Sequence, residues 1–503
     1  ARLLPARPGA PHAPHGTGAP TVGVVGGGIA GLAAATALAE RGVRVTLYER
    51  DSTLGGRLAG WPTTLGDGTP ATMSRGFHAF FRQYYNLRAL LRRTDPDLSR
   101  LRPLPDYPLQ HADGPRDSFA ALPRTPPWNA LAFAALSPSF PPRDLARVNA
   151  RAALGLLDVR VPDVYARFDS LSAHDFLGAI RFPESARHLA FEVFSRSFFA
   201  DPRTLSAAEM VLMFHIYFLG SAEGLLFDVP DEPFPQALWN PLEQHLHDLG
   251  ARVRTSTAID HVSPRDAGGL RLTGPGTDER HDACVLALNV PGLTRLVANS
   301  PGLGNESWRA RIGELRTAPP FLVSRLWLDK PVARDRPGFL GTSGYGDLDN
   351  ISVLERWEGE AARWSARTGG SVVELHAYAQ PSHADREAAQ ARLLAQLHRA
   401  YSETRDATVI DARHEWRDDC PLFPVDGYRV RPAVRTPHPG VMLAGDAIRC
   451  DLPVALMERA ATTGMLAANA LLARWGVAGH DLWTVPPRGR DLVSRRLAAW
   501  AAQ

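Results

Sequence analysis

A chain of 503 residues, 45% apolar and 22% charged, has the composition of a folded globular protein, which excludes long disorder and a polytopic membrane protein. Its length exceeds one compact core, so two intertwined domains with room for a large ligand are expected. A net charge of +3 is too small for the basic footprint of a nucleic-acid-binding protein, so no nucleic acid partner is expected.

The first twenty residues are rich in Pro, Ala, Gly and His and carry no apolar run, so they read as a mobile tail rather than a signal peptide or a span. His12 and His15 in this tail have no further ligand at a suitable spacing, and no metal site is expected. Residues 21–25 (TVGVV) form a short apolar strand, 26–31 a glycine turn, 29–41 an alanine-rich helix and 43–49 a second strand, which is one βαβ unit. The proline-rich stretch 103–142 marks a boundary with loops, and 128–140 (WNALAFAALSPSF) predicts a surface-lying apolar segment. The apolar run 205–227 is interrupted by Glu209, His215 and Glu223, which predicts a buried helix. Short strands return in 252–262 and 282–289, and 440–446 (GVMLAGD) supplies another before a final alanine-rich helix from Pro453. The segments 21–115, 235–300 and 410–475 are therefore expected to build a discontinuous cofactor domain. The segments 116–234 and 301–409 would form a mixed α+β substrate domain inserted between them, and 476–503 a C-terminal helical segment. Cys284, Cys420 and Cys450 form no C-x-x-C pair and no metal-ligand spacing, which fits a reducing cytoplasm.

Gly26, Gly28 and Gly31 form G-x-G-x-x-G directly after a strand and at a helix start. Backbone N–H groups there, those of Ile29 and Ala30 included, and the helix dipole can face a pyrophosphate. Glu49 ends the next strand about 20 residues after Gly28, the place of a carboxylate that accepts both ribose hydroxyls of an adenosine and disfavours a 2′-phosphate. Arg50 follows it, and then the run Gly55-Gly56-Arg57. This extension resembles the second glycine signature of the FAD-dependent amine oxidase and phytoene desaturase superfamily. The resemblance implies an α/β fold with a Rossmann-type FAD-binding domain, FAD as the cofactor, contacts from Arg50, Gly55 and Gly56, and Arg57 against a cofactor phosphate.

A second likeness to that superfamily lies where Gly445-Asp446 follows a strand and precedes Leu456-Met457-Glu458. It implies that Asp446 binds the ribityl-pyrophosphate region and that the helix start at Met457 places backbone N–H groups near flavin N1 and O2. A positive helix end there stabilises negative charge on reduced flavin. The same resemblance implies that Ile259 presents its backbone to adenine, with side-chain packing as the alternative.

The block 73–87 (MSRGFHAFFRQYYNL) is similar to the corresponding stretch of the bacterial carotene desaturase/methyltransferases, the isorenieratene or φ-ring synthase group. That resemblance implies a lipophilic carotenoid substrate, β-carotene or γ-carotene, whose β-ionone ring becomes an aromatic φ-ring through two dehydrogenations and one 1,2-methyl shift. Hydride abstraction at flavin N5 would leave an allylic cation, a methyl would migrate toward it, and proton loss would fix the new double bond. Phe77, Phe80, Phe81, Tyr84 and Tyr85 offer ring faces to such a cation, with ordinary packing as the other reading. His78, after Gly76 where relatives approach the flavin ring, is the leading candidate for proton acceptor or substrate-orienting group, against a structural histidine. Arg75 is a catalytic candidate that better suits holding the cofactor, because a cation beside a carbocation is unfavourable. Asp451 and Glu458 are weaker candidates for the base, since acidic residues at helix starts often cap. His215 and Tyr217 read as core or tunnel lining.

An enzyme of this kind takes its substrate from a bilayer without spanning it. Peripheral contact with the inner face of the cell membrane is therefore expected, through 128–140 or the apolar run near Met210. An amine or amino-acid oxidase would share the glycine signals. Many amine oxidases, however, use a lysine near the flavin where the strand 320–330 carries Val323 or Ser324. Lys330, alone among 56 basic residues in not being arginine, lies at the strand's far end. A different carotenoid desaturase, a non-redox flavin-dependent isomerase or cyclase, or a non-catalytic carotenoid carrier would carry the same binding motifs, so these alternatives stay open beside the oxidase.

Overall fold

In the computed structural model, which describes residues 1–114, 116–120, 122–187, 198–488 and 495–496, the run Thr21–Val25 is the middle strand of a five-stranded parallel sheet. Arg44–Tyr48 and Ala283–Leu286 flank it, and Arg252–Arg254 and Val441–Leu443 form the edges. Helices cover this sheet, so its central strands read as continuous apolar runs rather than alternating ones. The helix Ile29–Ala39 is buried on every side, against the sheet and against the long helix Leu456–Arg474. Alanine suits this place because it favours the helix and keeps the interhelical distance short. At the turn, Gly26 takes φ 107°, and a Cβ on Gly31 would lie 1.8 Å from the Gly26 carbonyl oxygen. Strand end and helix start thus meet at a distance only glycine permits.

The second sheet has seven strands in the order Val409–Arg417, Phe321–Leu328, Ser371–Ala377, Asn350–Val353, Phe339–Ser343, Leu109–His111 and Arg116–Asp117. It is antiparallel except where Phe339–Ser343 runs parallel to Leu109–His111. The helices Gly359–Thr368 and Arg386–Ala400 pack on it, giving the mixed α+β domain. Two expected boundaries move, because Leu109–His111 and all of Val409–Arg417 beyond its first residue, assigned to cofactor segments, pair into this sheet. Such pairing is decided by distant partners, and short runs carry no local mark of it. A helical layer completes the fold. Within it Ala207–Phe214 continues as the π-helical turn His215–Leu219, both deeply buried.

The first twenty residues are not the expected mobile tail. Arg2–Leu4 pairs antiparallel with Leu482–Thr484, Ala10 bridges Val477, and Ala13 is buried with its N–H on the Arg41 carbonyl at 2.7 Å. Backbone pairing satisfies polar groups that composition does not register. The same pairing puts a strand into the segment 476–503, expected to be helical; most of that segment beyond residue 488 lies outside the described residues. Among the described residues no helix is long and apolar enough to cross a membrane, and no three metal-ligating side chains converge.

Candidate active site

A cavity of about 380 Å³ is lined by residues of both sheets. Gly28 caps the helix Ile29–Ala39 without a side-chain hydrogen bond, so the N–H groups of its first turn are left for another partner. Gly28, Ile29 and Ala30 line the cavity, whereas Gly31 acts only through its contact with Gly26. Gly28 and Gly55 form a β-bridge, and the Gly55 N–H donates to the Gly27 carbonyl at 2.9 Å, so the two glycine signatures lie side by side. The Glu49 carboxylate accepts the N–H groups of Gly27 at 2.7 Å and Asp51 at 2.8 Å while lining the cavity. Burial raises its pKa. A carboxylate has about four acceptor sites, so these two bonds leave capacity for ribose hydroxyls.

Arg57 donates to Asp446 at 2.5 Å and ties this turn to the C-terminal signature. Burial opposes the Arg57 charge, and the Asp446 carboxylate outweighs it. Arg75 donates to both oxygens of Asp419 at 2.8 Å, and Asn289 donates to one of them at 3.2 Å. Burial would raise the Asp419 pKa, yet Arg75 holds it below the usual range, so Arg75 faces the cavity as half of a neutral pair. The helix Leu456–Arg474 likewise begins without a side-chain cap. Leu456, at φ 52°, and Met457 line the cavity, so a second set of helix N–H groups opens on it. Ile259, Arg50, Gly56 and Gly445 also line it. These uncapped helix starts and the glycine cradle fit an anionic dinucleotide such as FAD.

Beyond this region the wall is aromatic. Phe77 stacks on Phe339 with centroids 4.2 Å apart, and Phe81 lies 4.8 Å from Tyr217. Of the five aromatic residues proposed from the sequence, Phe77, Phe81 and Tyr84 reach the cavity. Phe80 is core, and the Tyr85 hydroxyl donates to Glu223 at 2.7 Å. Tyr217 lines the cavity, while His215 is structural, its Nε2 2.7 Å from the Pro486 carbonyl. His78 lines the cavity, with Nδ1 2.9 Å from the Gly76 carbonyl. Burial lowers its pKa to about 4, so it is neutral at pH 7 with Nδ1 donating and Nε2 the accepting nitrogen. Gly76 itself does not line the cavity. At φ 89° a Cβ there would sit 2.4 Å from His376 Nε2, and glycine is what brings the loop against that histidine.

Two acidic candidates are corrected. Glu458 does not line the large cavity; its carboxyl oxygens accept the N–H groups of Asn86 at 2.8 Å and Leu87 at 3.0 Å and cap the helix Tyr85–Leu91. Asp451 is exposed, takes the Tyr428 hydroxyl and lies off the cavity. Val323 and Ser324 are buried away from it too, and Lys330 is exposed, so this strand supplies no cavity lysine.

The sequence reading missed a buried network behind Phe77. Arg325 donates to Glu374 Oε2 at 2.8 Å, to the Thr72 carbonyl at 2.6 Å and to Ser74 Oγ at 2.9 Å. The Phe77 N–H donates to Glu374 Oε1 at 2.7 Å. His376, Tyr378, Asp349 and Asn350 continue the network into the cavity wall. The readable signal was an arginine and a glutamate inside two mostly apolar strands, since buried charges are paired.

Residues 29–472 match the family model described as flavin containing amine oxidoreductase. The chain is 71% identical over 483 residues to the carotenoid phi-ring synthase of Streptomyces griseus, covering 96% of this chain and 93% of that protein. It is 28% identical over 595 aligned positions to the carotenoid phi-ring synthase of Chlorobaculum tepidum, covering 93% and 90%. Among solved structures a putrescine oxidase mutant superposes with a TM-score of 0.68 at 17% identity over 90% of this chain and all of that one, which shows the shared fold. The cofactor is FAD, and the chain belongs to the flavin-containing amine oxidoreductase family, within which it groups with the carotenoid phi-ring synthases.

Proposed function

We propose that this chain is an FAD-dependent carotenoid φ-ring synthase that converts β-ionone rings of β-carotene or γ-carotene into aromatic φ-rings by dehydrogenation coupled to a 1,2-methyl shift. The observation that carries this reading is the near-full-length identity to the Streptomyces griseus protein. Bound FAD supplies the two-electron acceptor for the dehydrogenations. Gly28, Glu49, Arg57 and Asp446 hold the cofactor, and Arg75, neutralised by Asp419, adds no net cation beside a positively charged ring. Phe77, Phe81 and Tyr84 exclude water and turn ring faces to the substrate, worth roughly 0.5–2 kcal/mol each toward a desolvated cation. Neutral His78 orients the ring or accepts a proton.

The enzyme sits in the cytoplasm, peripherally on the inner face of the cell membrane. Three unbridged cysteines support a reducing compartment. Trp128, Leu131 and Leu136, exposed on one face of the helix Trp128–Leu136, are the docking surface. The run near Met210, the other expected docking segment, is buried and serves as core.

The test incubates the flavoprotein anaerobically with β-carotene or γ-carotene and a quinone acceptor, followed by mass analysis. Loss of four hydrogens per ring at constant carbon count is expected. Unchanged carotene together with peroxide release from amines in air would overturn the reading in favour of an amine oxidase.

A further inference from the structure

Aromatisation of one β-ionone ring removes four hydrogens, two with their electron pairs and two as protons. Protons on carbons next to a cationic centre are strongly acidic, so their acceptor needs position more than basicity. A bare carboxylate beside the cation would instead bond to it. Of the carboxylates that line the cavity, Glu49, Asp349, Asp419 and Asp446 are each engaged by backbone N–H groups or by arginine, whereas Asp51 and Asp260 are exposed beside Glu49 and Ile259 at the end assigned to the adenosine. His78 accounts for one proton acceptor, and a second is called for.

Tyr378 lines the cavity together with His376 and Asn350. Its hydroxyl is 2.9 Å from His376 Nδ1 and 2.9 Å from Asn350 Nδ2, and His376 Nε2 is 3.0 Å from Glu374 Oε1. The order of protons along this chain follows from its far end. Burial opposes ionisation of Glu374, but Arg325 overrides it and brings the pKa to about 2, so Glu374 is a carboxylate and accepts the Nε2 proton. Nδ1 is then the accepting nitrogen. The Tyr378 hydroxyl donates to it while accepting from Asn350. The Phe77 N–H lies 2.7 Å from Glu374 Oε1 and 3.3 Å from His376 Nε2; it donates to the nearer carboxylate and ties the relay to the loop that carries His78.

We propose that Tyr378 accepts one of the two ring protons and that His376 is the positioning residue that takes the phenolic proton in the same step. A ring C–H bond breaks and its electron pair becomes the new ring C=C bond. The proton goes to Tyr378 Oη as the Oη–H proton passes to His376 Nδ1. His376 becomes an imidazolium whose charge Glu374 balances, and Asn350 steadies the phenolic oxygen during the transfer. Bound FAD would supply the acceptor for the two hydride equivalents, with an external two-electron acceptor such as a quinone restoring it between them. Unlike a fixed anion, the phenolic oxygen gains negative character only as its own proton leaves for His376, and it is neutral before and after the step.

The inference rests on the φ-ring reading, so its test begins with the wild-type chain and β-carotene deuterated at the ring methylenes. Tyr378→Phe removes a single oxygen. It is expected to retain bound FAD by absorbance and to bleach it on mixing with carotene at a rate within about twofold of wild type. Its release of φ-ring product falls by about 10²-fold, the size of a lost acid–base group, and its substrate isotope effect rises. Because the variant also alters packing, the wild type is measured in D₂O. A solvent isotope effect of about two or more on product formation, and none on cofactor bleaching, is expected of two protons in flight. Unchanged product release from Tyr378→Phe, equal losses in bleaching and product release, or no solvent isotope effect in the wild type would each overturn the relay alone. A wild-type chain that leaves β-rings intact overturns the φ-ring reading and the relay with it.

Discussion

Gly28 and Gly31 stand three residues apart in one turn and answer to different demands. A Cβ on Gly31 would collide with the Gly26 carbonyl at 1.8 Å, with backbone on both sides and nowhere to move. A Cβ on Gly28 would meet nothing nearer than the Gly56 Cα at 3.8 Å, so the protein itself has room for it. What a methyl group at Gly28 would occupy is the approach to the uncapped helix start, where a phosphate has to come close to backbone N–H groups. Gly31→Ala is therefore expected to lower the melting temperature and the soluble yield, because overpacking costs about 1–3 kcal/mol or more. Gly28→Ala is expected to fold with an unchanged melting temperature in the cofactor-free state and to bind FAD at least tenfold more weakly. Thermal unfolding of apoprotein with a fluorescence titration of FAD separates the two, and equal FAD affinity in Gly28→Ala and wild type would remove the phosphate cradle from this turn.

At the scale of elements, Glu458 shows a carboxyl group serving a helix start across the fold. It stands in the first turn of Leu456–Arg474 and caps Tyr85–Leu91, the helix that follows the aromatic block. Burial raises its pKa from 4.5 to about 8, so at neutral pH the folded chain holds a proton that the unfolded chain has released. Across about pH 4.5 to 8 the folded state binds more protons than the unfolded one. This group therefore makes stability fall as pH rises through that window, and its effect levels off above the folded pKa. Glu458→Gln keeps an amide oxygen for one of the two backbone donors and loses roughly 0.5–1.5 kcal/mol with the other bond. Its melting temperature is expected to start slightly lower at pH 5 and decline less than that of wild type by pH 8, with carotene turnover retained. A variant with the wild-type pH slope would show that Glu458 does not set it.

This helix also marks where the sequence stopped being legible. The glycine turn, the strand before it and Gly55-Gly56-Arg57 could be read because their demands, positive φ, close approach and open N–H groups, are local. Whether Glu458 points into the cavity or across to Asn86 depends on a helix 370 residues away in sequence, and no pattern around Glu458 registers that. Asp419 was invisible as the partner of Arg75 for the same reason, as was His376 as the neighbour of Phe77 and Tyr378 as the neighbour of His376. The tail failed oppositely. Its Pro-, Ala- and Gly-rich composition registers only side chains, while its order comes from the backbone bonds of Arg2–Leu4 to Leu482–Thr484.

Across the whole molecule, the cofactor end and the helical layer are joined by one buried cluster, in which Glu209 accepts from Arg459 at 2.8 Å and from Arg431 at 2.7 Å. That layer also carries the helix Trp128–Leu136, whose Phe133 turns inward to stack on Phe119 at 4.8 Å, while Trp128, Leu131 and Leu136 are 63%, 52% and 68% exposed. Full burial of such side chains is worth about 1.5–3 kcal/mol each, so even half of that for the three, roughly 2–4.5 kcal/mol, changes a partition coefficient by about 30- to 2,000-fold. With a net charge of +3, electrostatic attraction to an anionic surface adds little, and the binding is expected to persist in high salt. The triple variant Trp128→Ser, Leu131→Ser, Leu136→Ser is therefore expected to lose co-flotation with phosphatidylcholine and phosphatidylglycerol vesicles at low and high salt alike. Its melting temperature and its turnover of detergent-dispersed carotene should match wild type, because the altered side chains make no part of the core or the cavity. Turnover of carotene supplied in vesicles should fall in step with flotation. Should the variant still float with the vesicles, the docking surface lies elsewhere on the molecule; should it float normally and yet lose turnover only from vesicles, the helix guides the substrate rather than anchoring the protein.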